Sequence, residues 1–320
     1  MKPWIHLLAP ALLLPLSVKA EEVKAEATPE VAPYLRVTET DQGQNVLEIA
    51  WRSFQSDSGP TIWLAGVSHI GSSNYYARLQ EELDGVDLVL YEGVNDPVED
   101  GDAKPLANAA ERDDGAQALM ADMLGLVFQL KHIDYSGDHF EHCDMDMATL
   151  MQELSGDNGE GTQSKEAFEQ MASQMSGEDA SLKLLEVLGV FLKASPQMQS
   201  MVKLLLIETL GNLPSDLDSI AGMPPEMMEL MTVLLDRRNE VVLERLAKLD
   251  KGWGPDKQVA VFYGAAHNVH LEEELRKKGY TQTGELWFPA MGVSPASAGL
   301  SPSSVQMFRQ MMKAQLGGSR

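Results

Sequence analysis

Two short apolar runs, each followed by Gly-x-x-His, constrain this chain more than any other feature: WLAGVSHI at 63–70 and VFYGAAHN at 261–268. An apolar run ended by glycine reads as a strand whose chain turns sharply at its carboxyl end. Beyond the first run, Tyr75, Leu79 and Leu83 recur on one helix face, Ser72 or Ser73 stands where a cap is needed, and Asp87–Tyr91 reads as a second strand. Strand, helix and strand in this order pair in parallel with a right-handed crossover. His69 and Glu92 are therefore expected on one rim of the sheet, where open α/β folds bind ligands. If the strand of the second motif joins the same sheet in parallel, His267 reaches that rim too. Two imidazoles and a carboxylate have the composition of an open three-ligand site for a divalent transition metal.

The remaining chain fits around this unit. Asn45–Trp51 alternates as a half-buried strand does, and is expected to form a hairpin with Thr61–Ala65 near the sheet edge. The polar stretch 95–115, rich in Asp, Gly and Pro, is placed to form a loop or lid over the rim. Ala116–Leu130 reads as an amphipathic helix, and Phe140–Met147 as a short strand entering another helix. Two apolar helical runs follow over 181–213, broken at Ser195-Pro196, and then one long helix from Pro225 to about Lys251. Thr281–Phe288 alternates like a strand, and Val305–Leu316 reads as a last helix. The expected fold is α/β, with a central mixed, partly parallel sheet flanked by helices. It forms a single domain over 35–320, with a helical insertion at about 155–250 in the middle of the chain.

Residues 1–20 have a basic start, an apolar middle and a small-residue exit at Val18 and Ala20, the pattern of a secretory signal peptide cleaved after Ala20. Residues 21–34 are charged and broken by proline, and read as a flexible leader. An exported protein, periplasmic or secreted, is implied, with no membrane span after cleavage because no later apolar stretch reaches about 18 residues. Loss of Lys2 and Lys19 takes the formal charge from −23 to −25, which argues against nucleic acid and anionic membrane as partners. Cys143 is the single cysteine, so the fold has no intramolecular disulfide.

Taken together, WLAGVSHIG…Y, DLVLYEG, DRRN and FYGAAHNVHLEEELRKKGY resemble the TraB/PrgY/GumN superfamily, which includes the TIKI metalloproteases. The resemblance spans most of the chain after residue 20 and implies a fold shared with erythromycin-esterase-like and ChaN-like proteins. It also implies a site built by His69, Glu92 and His267. The family's arginine-asparagine pair falls on Arg238 and Asn239. Its hydrophobic-Ala-Asp-Met segment falls on His142-Cys143-Asp144-Met145, where cysteine replaces the usual alanine. The TIKI relatives imply Mn²⁺ or Co²⁺, while the spacing here does not select these over Zn²⁺.

The function expected from these residues is a divalent-metal-dependent hydrolase of the metallopeptidase type, acting on a peptide or other small-molecule substrate. His69, Glu92 and His267 would hold the ion, with Glu92 as ligand or base and Arg238 beside a developing oxyanion. Asp144, Asn239 and His142 are expected as supports or further ligands. His139 and His270 read as surface or supporting residues. The alternative is a binding protein that sequesters a peptide, haem or metal without turnover, a reading that the eleven methionines between Met145 and Met231 favour.

Overall fold

The structure, a computed structural model, describes residues 31–93, 116–155, 163–176, 180–215, 224–249 and 252–316. The expected signal peptide, most of the leader and the expected lid over 95–115 lie outside the described residues. Seven strands form one sheet: β1 (Leu35–Glu39), β2 (Asn45–Gln55), β3 (Thr61–Val67), β5 (Leu88–Tyr91), β7 (Phe140–His142), β8 (Gln258–Gly264) and β9 (Thr281–Val293). The order is β1-β2-β3-β8-β5-β7, with β9 on the other side of β2. β3, β8, β5 and β7 run parallel, and β1, β2 and β9 form an antiparallel wing. β4 (Ile70–Gly71) and β6 (Val127–Phe128) make a separate two-stranded ladder beside the rim.

The first departure from expectation lies at the centre. β3 and β5 belong to one sheet and run parallel, but they do not pair with each other, because β8 lies between them and bonds to both. Its apolar run suits the position: Val259 to Tyr263 are all 0% exposed, and Val259, Val261 and Phe262 each gain about 1.5–3 kcal/mol from burial.

β2 also differs, since it pairs with β1, β3 and β9 and is not at the edge. Covered on both faces, it buries Arg52 and Ser53 along with its apolar residues. Val31 and Tyr34 are buried as well, so the last residues assigned to the leader belong to the core.

α1 (Ser73–Leu83) starts at Ser72, whose Oγ accepts from the Tyr75 amide, and it buries Tyr75, Tyr76, Leu79 and Leu83 against the sheet. The helix expected over 116–130 is shorter. α2 (Ala116–Met123) stops before Gly125, whose φ of 60° is left-handed, and the chain then enters β6 and a 3₁₀ turn over Gln129–Lys131. α3 (Met147–Ser155), α4 (Gln163–Ser176), α5 (Ala180–Ala194) and α6 (Pro196–Leu210) follow, the last capped by Ser195 with proline at its first position. In place of one regular helix, α7 (Pro225–Thr232) passes through a π turn at Val233–Arg237 into α8 (Arg238–Leu249). α9 (Asn268–Lys277) follows β8, and α10 (Pro302–Leu316) ends the described chain. Among the described residues no helix is long and apolar enough to cross a membrane.

Candidate functional site

The parallel strands β3, β8 and β5 end at one rim, and each delivers a polar group just past its last residue. His69 follows β3, Glu92 follows β5, and His267 closes the 3₁₀ turn that leads from β8 to α9. Gly264 lies at the centre of the three. A Cβ at this residue would come 3.3 Å from Glu92 Oε2, 3.6 Å from His69 Nε2 and 3.8 Å from His267 Cδ2. The glycine of the second motif thus keeps open a space that all three side chains face. The glycine of the first has another reason: a Cβ on Gly66 would meet Asn268 Nδ2 at 2.9 Å and the Ala50 carbonyl oxygen at 3.0 Å. One glycine lets α9 approach the sheet, while the other keeps the rim empty.

The two imidazoles are held in the same way. His69 Nδ1 lies 3.0 Å from Gln129 Oε1, while the Gln129 amide N–H donates to the His69 carbonyl oxygen at 2.9 Å. His267 Nδ1 lies 2.8 Å from Asn239 Oδ1, while Asn239 Nδ2 donates to the His267 carbonyl oxygen at 3.2 Å. An amide oxygen only accepts, so each Nδ1 carries a proton, and in the neutral ring the lone pair is on Nε2. Tautomer control of this kind is what partners of metal-binding or basic histidines provide. Gln129 also donates to the Tyr135 hydroxyl at 2.8 Å. Nothing in the spacing of the sequence singles out Gln129, which reaches His69 across 60 positions through the turn after β6.

Glu92 is fixed from three sides. Its Oε2 accepts from the Gly264 amide at 2.6 Å, its Oε1 accepts from Arg238 Nη2 at 2.8 Å, and His267 Nε2 stands 3.5 Å from Oε1. Burial alone would raise its pKa. His267 when its ring is charged, the Arg238 guanidinium, and His69 when charged outweigh that cost, and the carboxyl lies well below the usual carboxylate range. Glu92 is therefore an anion at neutral pH.

Arg238, at the junction of the π turn and α8, is buried. It donates through Nε and Nη2 to Asp144 at 3.0 and 2.6 Å, through Nη2 to Glu92, and through Nη1 to the Leu234 carbonyl oxygen at 3.2 Å. Four of its five N–H groups are thus committed. These contacts neutralise Glu92 and Asp144. Asp144 touches neither histidine of the pair; it accepts from Arg238 and from the Gly93 and Met145 amides. His142 does not join them at the rim space either, since its Nε2 bonds to the Gly93 carbonyl and its ring packs on Tyr91. Cys143 is buried with its thiol pushed up to about 12, by burial first and then by Glu141 and Asp144. It is not a thiolate at neutral pH.

In donor chemistry, two imidazoles with fixed tautomers and one carboxylate, facing a space kept clear by a glycine, fit a divalent transition ion. Two ligands of one tetrahedral ion with bonds of ~2.1 Å stand roughly 3.4 Å apart, close to the 3.5 Å between His267 Nε2 and Glu92 Oε1. As placed, however, no group of three or more His, Cys, Asp or Glu among the described residues is arranged to hold an ion. Glu92 would have to share its carboxylate with Arg238 and Gly264. Comparison of the chain with family models, with curated proteins and with solved structures gave no match.

Proposed function

We propose that the protein is an exported hydrolase of the TraB/GumN type, cleaving a peptide or ester bond with a divalent cation held by His69, Glu92 and His267. The observation that carries this reading is the space beside Gly264, ringed by Glu92 Oε2, His69 Nε2 and the His267 ring within 3.3–3.8 Å of one point. A bound cation would make water a better nucleophile and polarise the carbonyl. The chain's own residues supply the rest. Gln129 and Asn239 keep both Nε2 lone pairs turned to that space, and Arg238 holds Glu92 ionised in place.

A metal-free reading draws on the same contacts. His267 Nε2, 3.5 Å from a carboxylate already paired with Arg238, is placed to act as a general base alone, with Glu92 stabilising the imidazolium that forms. A third reading, capture of a peptide, haem or metal without turnover, is favoured by Met198, Met201, Met227 and Met228, which are exposed on α6 and α7.

Elemental analysis of the purified protein, with peptide and ester mixtures followed by mass spectrometry, separates the three. Metal hydrolysis requires about one bound ion, product loss in chelator with recovery on adding Mn²⁺, Co²⁺ or Zn²⁺, and loss of both ion and product in His69→Ala and His267→Ala. Product unchanged by chelator but lost in His267→Ala selects the metal-free base. Saturable binding with unchanged ligand mass selects capture.

A further inference from the structure

We infer that a cavity at the end of the sheet away from the rim, between the carboxyl end of α1 and the starts of β3 and β8, binds a compact organic cation of the substituted-ammonium class. Its volume is about 170 Å³, and its walls include Trp51, Trp63, Glu81, Glu82, Gln258 and Leu286. Strand pairing puts both indoles on one face of the sheet: Trp51 pairs with Ala65 and Leu286, and Trp63, two residues before Ala65, stands on the same side. α1 packs against β9 and ends at Leu83, and the cavity lies where the helix stops. Trp63 is four residues before Val67, about 13 Å along β3. The cavity is thus separate from the space beside Gly264, and the inference does not rest on the hydrolase reading.

The walls offer ring surface and acceptors, with few donors. The Trp51 N–H donates to the Gly66 carbonyl oxygen and the Trp63 N–H to Gln258 Oε1, each at 3.0 Å. The Gly85 and Val86 amides, also at the cavity, donate to the Glu82 and Leu83 carbonyl oxygens at 3.2 and 3.4 Å. Only the Gln258 NH₂ group is left to meet an anion. Glu81 and Glu82 stand at the carbonyl end of α1, whose last turn has no basic residue, so two carboxylates add to an end that the helix dipole already makes negative. The neighbouring cations are used elsewhere: the Arg78 guanidinium lies over the Phe288 ring at 5.5 Å, and Lys257 pairs with Asp87 at 2.7 Å. Two exposed acids alone would be a solvated face. Beside an indole wall they form the surroundings that hold an ammonium, since tryptophan is the best aromatic partner for a cation. The volume is below the ~300–1,000 Å³ of pockets that enclose drug-sized ligands, which fits a methylated ammonium head.

The test titrates the purified protein with choline, and separately with its uncharged isostere 3,3-dimethylbutan-1-ol, while the indole N–H signals are followed by ¹H–¹⁵N NMR. The Trp63 signal, assigned by its loss in Trp63→Leu, should shift to saturation with choline and respond at least tenfold more weakly to the alcohol. By calorimetry, choline affinity should fall at least tenfold in Trp63→Leu and at least fivefold in the double variant Glu81→Gln/Glu82→Gln, which alters two exposed side chains that the fold should tolerate losing. No saturable shift with choline, equal affinity for the alcohol, or wild-type choline affinity in the folded double variant would each overturn the inference. Sedimentation with phosphatidylcholine vesicles then names the source of the ammonium: co-sedimentation supports a lipid headgroup as the occupant of the site, and its absence supports a free solute.

Discussion

Among the described residues two guanidinium groups are buried against pairs of carboxylates, and the two clusters end differently. Arg52 donates to Glu285 at 2.9 Å, to Glu272 at 3.1 Å and to the Ala32 and Pro33 carbonyl oxygens at 2.8 and 2.9 Å, with Tyr34 stacked on its plane. Glu272 in turn accepts from Tyr34 and Arg276. Every partner is a fixed part of the fold, and the cluster fastens the segment before β1 to β2 and α9. Arg238 also joins two carboxylates, but one of them, Glu92, borders a space faced by two imidazole rings. Buried charge is therefore no mark of chemistry by itself. The mark is a charged group whose neighbours leave one direction open.

The contrast yields measurements that can break it, taken here from the largest effect down. Arg52→Met takes a buried cation from Glu272, which keeps Tyr34 and Arg276, and removes the tie to Ala32 and Pro33, so it should cost about 3–5 kcal/mol in urea unfolding; a loss below about 1 kcal/mol would mean the cluster is not a clamp. Gly264→Ala adds one methyl to the open space, so stability should fall by about 1–3 kcal/mol while ion uptake and turnover per folded molecule fall at least tenfold. Equal ion uptake in the two proteins would place the cation elsewhere. Tyr34→Phe removes one hydrogen bond to the carboxylate of Glu272 and should cost about 1.5–3 kcal/mol with no change at the rim.

A gentler test uses acid. The folded pKa of Glu92 lies below its unfolded value, so its contribution is complete above the ordinary carboxylate range, about 4, and is lost as the pH falls from there through the lowered value. Wild type should therefore lose stability more steeply in that window than Glu92→Gln, as followed by urea midpoints across the pH series. Smallest of all, Cys143 should resist thiol reagents in the native protein and react only on unfolding, because its thiol is buried and raised to about 12.

The rim was legible in the sequence because its signal is local. An apolar run, a glycine and a histidine at fixed offset mark a strand end, and strands of one sheet that run parallel end on one side. The alternation of β2 was equally visible, but alternation cannot tell which faces are later covered. Arg52 falls just past the strand read over Asn45–Trp51, and it is buried because residues 31–34 and α9 close over it. The insertion of β8 between β3 and β5 was hidden for a related reason: pairing partners depend on which apolar run competes best for the middle. Gln129 and the π turn before Arg238 carry no local pattern, since each matters only through a contact made after the chain has folded.

The place of β8 also fixes when the rim can exist. β3 pairs with β2, and β5 with β7, but the edges that these two pairs turn to β8 have no partner until residues 258–264 have been made. A chain growing from its amino end must carry those two apolar edges from residue 142, where β7 ends, to residue 258 before the wedge arrives. Assembly of the rim is thus a late, all-or-none event, slow in the manner of long-range strand pairing, and a truncated product that stops short of β8 lacks Gly264 and His267 together.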